Sequence, residues 1–344
     1  MDRRDESLMQ AAVIETPGLP PRLVDREHPR AGPGELTVDV TAAPITPLDV
    51  QCASGTSYFG VPQTPYVPGV QGVGVVRTGS TSIAAGTLVW FASTAGMQRG
   101  DGSMRTIATV VERDIVPLPS GTDPALAGAL GLSAVAAWLG LTWRGELSPG
   151  EQVLVLGAGG VVGQAAVQLA RTVGARRVIA AARSEAARKR ALAAGPDALV
   201  LLDDADDIDG LADAIRSQCE GPLDLVLDPL FGVPAVAAMR VLRPEGRLVN
   251  LGGSAAATAR MESATLRSSS LRVLGYTNNA LSPQLRSEAL THVIQEAAAG
   301  RLTVDHERVP LADVTEGWVR HVDGQAGGRI VLIPDPVLLA SQEA

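Results

Sequence analysis

The sequence predicts an α/β protein in two parts, a β-rich N-terminal region followed by a doubly wound parallel sheet. Three observations carry this. Apolar residues alternate with polar ones in short runs between residues 36 and 111, helical sequence alternates with short apolar runs from residue 124 onward, and one of those runs enters a glycine turn at 157–163. A chain of 344 residues accommodates about two domains, so a cleft between two cores is the default place for chemistry.

In chain order, Pro33-Gly34 supplies a turn, after which Leu36, Val38 and Val40 alternate with Thr37, Asp39 and Thr41, the period of a half-buried strand. Strand-like runs at 73–76, 88–91 and 106–111 are separated by Gly, Ser and Pro clusters, which predicts a compact barrel or sandwich with no competing helical period. Asp123 then reads as an N-cap with Pro124 at the first helical position. Residues 125–143 carry no charge and are long enough to span a bilayer. They are built from Ala and Gly, however, with interruptions at Gly128, Gly131 and Gly140, and read as a buried helix at a domain boundary. Beyond it, strands are expected at 153–156, 178–181, 198–202, 223–227 and 247–251, alternating with helices as in a parallel doubly wound sheet. The acidic run at 203–209 reads as a solvated loop and helix start. The tail offers a helix with Leu290, Val293, Ile294 and Ala297 on one face, and a last strand at 329–333.

Composition narrows the function. Hydrophobic residues make up 46% and charged residues 19%, the balance of an ordinary globular chain. A net charge of −8 with 3% aromatics leaves neither a basic surface for phosphate backbones nor a stacking platform for bases, so no nucleic-acid partner is expected. Cys52 and Cys219 neither frame a disulfide scaffold nor cluster as zinc ligands, and the first ten residues lack the apolar core of a secretory signal. A reducing cytoplasm is the expected location, with no membrane partner.

The glycine turn is the strongest local feature. An apolar strand, 152–156, leads into Gly157, Ala158, Gly159, Gly160, Val161, Val162 and Gly163, and a helix follows as far as Gly174. A turn without Cβ atoms lets backbone amides approach a diphosphate, whose charge the helix N-terminus favours. The spacing is G-x-x-G-x-x-G, which suits the phosphorylated cofactor. A site for NAD would place a carboxylate at the end of the second strand, whereas this strand ends Ala180-Ala181-Ala182-Arg183. The missing carboxylate removes repulsion toward a 2′-phosphate, so the expected cofactor is NADPH; Arg183, and with it Arg188, either bonds that phosphate or stands as an exposed arginine without a specific contact.

With these residues in view, the chain resembles the zinc-free, quinone oxidoreductase-like branch of the medium-chain dehydrogenase/reductase superfamily. The resemblance rests on ordered blocks: Pro44-Ile-Thr-Pro-Leu-Asp49, Pro65-Tyr-Val-Pro-Gly-Val-Gln-Gly72, Gly131-Leu-Ser133, Pro149-Gly-Glu-Gln-Val-Leu-Val155, the glycine turn, Gly246-Arg-Leu-Val-Asn250 and Gly328-Arg-Ile-Val-Leu332. It implies a GroES-like catalytic domain at 1–125, completed by 276–344, around a Rossmann domain at 126–275, and a homodimer. Zinc-bearing members carry their three catalytic ligands where this chain has Thr46, Val70-Gln71 and Leu130. The four-cysteine structural lobe is also missing, so no metal site is expected.

That absence bears on the reaction. Oxidising an alcohol requires removal of a proton with a pKa of roughly 16 by analogy with water, a value a metal lowers toward about 7. Reducing a quinone or an α,β-unsaturated carbonyl requires less, because the resulting oxyanion is delocalised and ordinary donors can steady it. By resemblance, Thr46, Gln51 and Tyr58 surround the nicotinamide and a small electrophilic substrate. Tyr58 either donates to the developing oxyanion or packs at the cleft rim, with Ser57 as the alternative donor, and Asp49 either acts there or holds the loop. By the same resemblance, Ser133 either lies near the nicotinamide or packs its helix, Asn250, beside Leu251, either faces the ring from a strand end or caps the strand-end backbone, and Arg329 either reaches the cofactor phosphates from the tail or forms an exposed salt bridge. Asn278-Asn279 reads as a turn. The competing functions are an enoyl-thioester reductase, for which no clear basic entrance stands in the N-terminal region, and a non-catalytic NADPH-binding or sensing protein.

Overall fold

The computed structural model describes residues 8–202 and 207–334. Residues 1–7 of the N-terminal segment and 203–206 of the acidic run lie outside these.

The chain opens with an antiparallel pair, β1 (Leu8–Val13) and β2 (Arg22–Glu27). Strand β3 (Glu35–Pro44) buries alternate residues, as its sequence period requires. It leads into a helix that the alternation did not predict, α1 (Pro47–Ser54). The local code for α1 is a capping box, with Thr46 as N-cap, Asp49 as its reciprocal partner, and Gly55 closing the helix at φ 73°. Strands β4 (Gln71–Val76), β5 (Leu88–Ala92), β6 (Ile107–Val111) and β7 (Ile115–Pro117) follow.

Helix α2 (Pro124–Leu139) starts where expected, with the Asp123 carboxylate accepting from Ala125 N at 3.0 Å. It is broken at Gly131 (φ 28°, ψ −130°) and continues into a π-turn at Gly140–Arg144. Its most apolar window is 72% buried, which makes it interior helix despite a length and hydropathy sufficient for a bilayer.

Next come β8 (Gln152–Val155), α3 (Val161–Val173), β9 (Arg177–Ala182), α4 (Glu185–Ala193), β10 (Ala198–Leu201), α5 (Ile208–Ser217), β11 (Leu223–Asp228), α6 (Gly232–Met239), β12 (Leu242–Asn250), α7 (Ser263–Ser268) and β13 (Arg272–Gly275). The tail adds α8 (Pro283–Ala298), β14 (His306–Pro310), α9 (Val314–Val322) and β15 (Arg329–Ile333).

These elements form two compact units, 1–131 with 305–344, and 132–304. In the first, the expected barrel or sandwich is a mixed sheet ordered β14-β15-β3-β4-β5-β7, with β6 paired to β3. The tail strand β15 lies antiparallel to β3, and a core including Ile14, Ile45, Phe91 and Trp318 fills the unit. In the second, six parallel strands run β10-β9-β8-β11-β12-β13, so the order reverses between β8 and β11. Strands β8 and β11 are buried along their whole length, as expected for a sheet covered on both faces.

The tail rejoins the first unit at Asp305, later than residue 276. Helix α8 buries Leu290, Val293 and Ile294, and the Gln168 side chain on α3 holds both backbone groups of Thr303, at 2.8 and 3.1 Å. Those contacts keep the segment up to 304 with the parallel sheet.

Candidate functional site

The glycine turn sits at the point where the strand order of the parallel sheet reverses, the place where open α/β sheets bind ligands. Each glycine there has its own cause. Gly157 has φ 62°. At Gly159 a Cβ would lie 2.5 Å from the carbonyl oxygen of Ala187 in α4, and at Gly163 one would lie 2.5 Å from the Cα of Ala158. Gly160 is different. It is the N-cap of α3 with φ −81°, open to any residue, and a Cβ there would meet nothing closer than 3.5 Å.

Packing therefore demands glycine at 157, 159 and 163 but not at 160. What bare backbone at 160 provides is free approach to the first helical amides, those of Val161, Val162 and Gly163, which have no intrahelical partner. That is the cradle a diphosphate requires. Ala158 N donates to Ala181 O at 2.9 Å and ties the turn to β9.

Arg183 is exposed just past β9, and Ser184 caps α4 by accepting from Ala187 N at 3.2 Å. Arg188 is half-buried on the same helix. At the ends of β11 and β12, Asn250 Nδ2 donates to Asp228 Oδ2 at 3.0 Å and to Gly252 O at 2.8 Å. Asp228 Oδ1 also accepts from the amides of Leu230 and Phe231. Burial raises the Asp228 pKa, against the lowering effect of those donors. Asn250 is thus a loop tie, and Leu251 N joins it by donating to Asp228 O at 2.8 Å. Ser133 lies half-buried on the second arm of α2.

In the first unit a knot forms around Asp49, which is 2% exposed. One carboxylate oxygen accepts from Thr46 N at 2.8 Å and from the Thr46 hydroxyl at 2.6 Å. The other accepts from Gly69 N and Val70 N at 3.1 and 2.8 Å. Burial raises the Asp49 pKa, opposed by these bonds and by the Arg329 charge. Arg329 donates to Ile45 O at 2.8 Å, and burial lowers its pKa to about 10.

Two of the expected site residues make structural bonds here. The Thr46 hydroxyl donates to Asp49 and caps α1 by accepting from Asp49 N, and Arg329 is a buried side chain of the first unit. Replacing Thr46 by alanine should therefore cost about 1 kcal/mol of stability, the worth of an N-cap, as read by urea denaturation. Gln51 is exposed and Tyr58 is 78% exposed, its ring 4.3 Å from that of Phe59. At the positions of the family's zinc ligands, Val70 and Leu130 are buried apolar side chains. Gln71 donates to Gly128 O at 3.2 Å and fills the space beside Gly131. No group of three His, Cys, Asp or Glu able to hold a metal occurs among the described residues.

Sequence reasoning missed Asp228, whose signal is a carboxylate followed by Pro229 at a strand end. It also missed Gln164 and Arg190, which donate to Gly159 O at 3.1 and 2.9 Å.

A six-stranded doubly wound sheet with a glycine turn at its switch point, inserted into a β-rich unit that the tail completes, defines a two-domain dinucleotide-binding protein. The alcohol dehydrogenase GroES-like domain model matches residues 32–120 and the zinc-binding dehydrogenase model residues 161–296. The chain belongs to the medium-chain dehydrogenase/reductase superfamily.

It is 30% identical over 331 residues to a very long protein of Mycobacterium tuberculosis, a component of the phenolphthiocerol/phthiocerol polyketide synthase, and the match covers 93% of this chain but only 14% of that protein. It is 28% identical over 221 residues to mouse quinone oxidoreductase, covering 63% and 64% of the two chains. A probable oxidoreductase from Mycobacterium abscessus superposes with a TM-score of 0.79 at 29% identity, over 95% of this chain and 100% of that one.

Proposed function

We propose that the protein is an NADPH-dependent reductase that passes hydride to a quinone or an α,β-unsaturated carbonyl without a metal. The observation that carries this reading is the bare, unpacked Gly160 at the head of α3, beside a second strand that ends at Ala182 and is followed by Arg183 where an NAD site would have a carboxylate. When bound, NADPH supplies the hydride. The chain's part is to hold the diphosphate on the amides at 161–163, to meet the 2′-phosphate with Arg183 and Arg188, and to offer a donor to the developing oxyanion. Tyr58, on an exposed loop, is the side chain proposed for that donor. The metal-free part of the reading is supported by what the side chains at the family's ligand positions do: Thr46 caps a helix, Gln71 bonds a backbone carbonyl, and Val70 and Leu130 are apolar.

A second reading, an enoyl-thioester reductase, draws support from the polyketide synthase relative, which matches over nearly the whole chain. We also propose a homodimer in a reducing cytoplasm, since β13 ends the parallel sheet with an open edge and both cysteines are free.

The test is oxidation of NADPH and NADH in parallel against quinones, enals and enoyl-CoAs, with metal analysis of the same sample. Turnover of quinones or enals without bound metal supports the first reading, and turnover confined to enoyl-CoAs supports the second. Stoichiometric zinc, or consumption of neither cofactor, overturns the proposal. In the same series, Arg183→Ala should weaken NADPH about tenfold, the worth of a bond to a charged group, and leave NADH unchanged. Equal use of both cofactors by the unmodified protein would remove the 2′-phosphate assignment.

A further inference from the structure

The glycine turn is gripped by the helix that follows the second strand. At Gly159 the direction a Cβ would take is blocked by Ala187 of α4, whose oxygen, Cα and Cβ would lie 2.5, 2.6 and 2.6 Å away. One turn further along α4, Arg190 Nε donates to the Gly159 carbonyl at 2.9 Å. Gln164 Nε2 donates to the same oxygen at 3.1 Å. The amide on the other side of that peptide, Gly160 N, donates to Gly157 O at 3.0 Å. The 159–160 peptide is therefore held at both ends.

This matters because glycines do not hold themselves. A bare peptide between two glycines can rotate at little steric cost, and a rotated 159–160 peptide would turn a carbonyl oxygen toward the place where the turn should present amides. A carbonyl has two lone pairs, and here both are engaged, one of them by a guanidinium.

We infer that Arg190 is a positioning residue for the diphosphate turn, fixing the Gly159 carbonyl so that the amides beyond it keep their aim. It acts on every pyridine dinucleotide alike. Its role is separate from that of Arg183, which lies past the end of β9 and addresses the 2′-phosphate alone. Since Ala187 and Arg190 sit on the helix that Ser184 caps right after Arg183, α4 joins the two phosphate-recognition features into one body. The inference rests on the dinucleotide reading above.

The experiment titrates four ligands into the full chain by calorimetry: NADPH, NADH, ADP-ribose and adenosine 2′-monophosphate. Arg190→Met keeps most of the stem and removes the donor, and Arg190→Lys keeps the charge and one flexible donor. The methionine variant should bind NADPH, NADH and ADP-ribose about tenfold more weakly, by a common factor, with adenosine 2′-monophosphate unchanged. The lysine variant should recover part of the loss, and should the methionine variant fail to fold, a weakening of the three diphosphate ligands by R190K decides alone.

Unchanged NADH and ADP-ribose binding overturns the inference and leaves the dinucleotide reading standing. A loss confined to NADPH would make Arg190 a 2′-phosphate ligand, and equal weakening of all four would reduce it to general support; either overturns the inference. If the unmodified protein binds none of the three diphosphate ligands, the dinucleotide reading itself falls, and the inference with it.

Discussion

Replacing Arg247 by methionine should lower the unfolding free energy of the dinucleotide-binding unit by about 3–5 kcal/mol, the range for breaking a buried ion pair by removing one partner. Arg247 is 2% exposed near the start of the β12 segment that pairs with β11. All five of its N–H donors find acceptors. Nε donates to Gly145 O at 2.9 Å. Nη1 reaches Glu151 Oε1 at 2.8 Å and Asp224 O at 3.1 Å, and Nη2 reaches Glu151 Oε2 at 2.6 Å and Glu146 O at 3.3 Å. Around this bidentate pair, Arg243 bonds Asp224 and reaches Glu151, while Asp224 also accepts from Gln152 N at 2.8 Å. The side chain thus ties the connection before β8 to β11 and β12. Methionine matches the stem but leaves Glu151 and three carbonyls short of a donor.

The sign of the pH dependence follows from Glu151. Burial pushes its carboxyl pKa up, but the Arg247 and Ser148 bonds and the two arginine charges outweigh burial and hold it below the ordinary value. A depressed folded pKa means stability that is present above the unfolded carboxylate pKa of about 4.3 and lost as the pH falls through the folded one. Urea unfolding at neutral pH should show the full loss in R247M, and the gap between variant and parent should narrow on acidification below that range. A second substitution, Glu151→Leu, should return part of the stability by removing the stranded carboxylate. A neutral-pH difference under about 1 kcal/mol, the scale of an exposed pair, would show that the network contributes little.

How much of this is legible in the sequence depends on whether the cause is local. Strand β3 and the buried strands of the parallel sheet can be read because alternation and continuous apolar runs record which faces are covered. The glycine turn can be read because strand, turn and helix adjoin in sequence. Helix α1 hides in a β-rich stretch: it is eight residues long, too short for a helical period, and only the Thr46-to-Asp49 box marks it. The bond from the Thr46 hydroxyl to Asp49 is also hidden in the sequence, since a hydroxyl looks the same there whether it faces a substrate or a carboxylate three residues on. The bond from Arg329 to Ile45 likewise becomes visible only with β15 laid beside β3. The grip of Arg190 on Gly159 spans 31 positions and depends on how α4 packs. No spacing rule reaches that far.

The other large effect separates two glycines of one turn. Gly160→Ala should fold with nearly unchanged stability yet bind NADPH and NADH roughly 100-fold more weakly, whereas Gly163→Ala should lose both folding stability and binding. At 163 the new methyl would meet backbone, the Ala158 Cα and the Gly157 oxygen, both at 2.5 Å. Backbone there cannot give without moving the turn away from the sheet, and forced overpacking of this kind costs about 1–3 kcal/mol. At 160 the methyl would stand 3.5 Å from the Gly157 oxygen in ordinary contact, on a backbone alanine adopts freely. Alanine is the poorer N-cap by up to about 1 kcal/mol, but it also restricts the unfolded chain by about 0.4–1 kcal/mol in the opposite direction, so the two nearly cancel. The methyl would point into open space, with only the Gly157 oxygen within 4 Å, on the side where the proposed diphosphate site requires bare backbone. Losing two amide bonds to a charged diphosphate amounts to about 3 kcal/mol, or roughly 100-fold in affinity. Thermal unfolding and calorimetry on the same two variants check this. Full cofactor affinity in G160A would mean that the open space at 160 is not where the diphosphate lies.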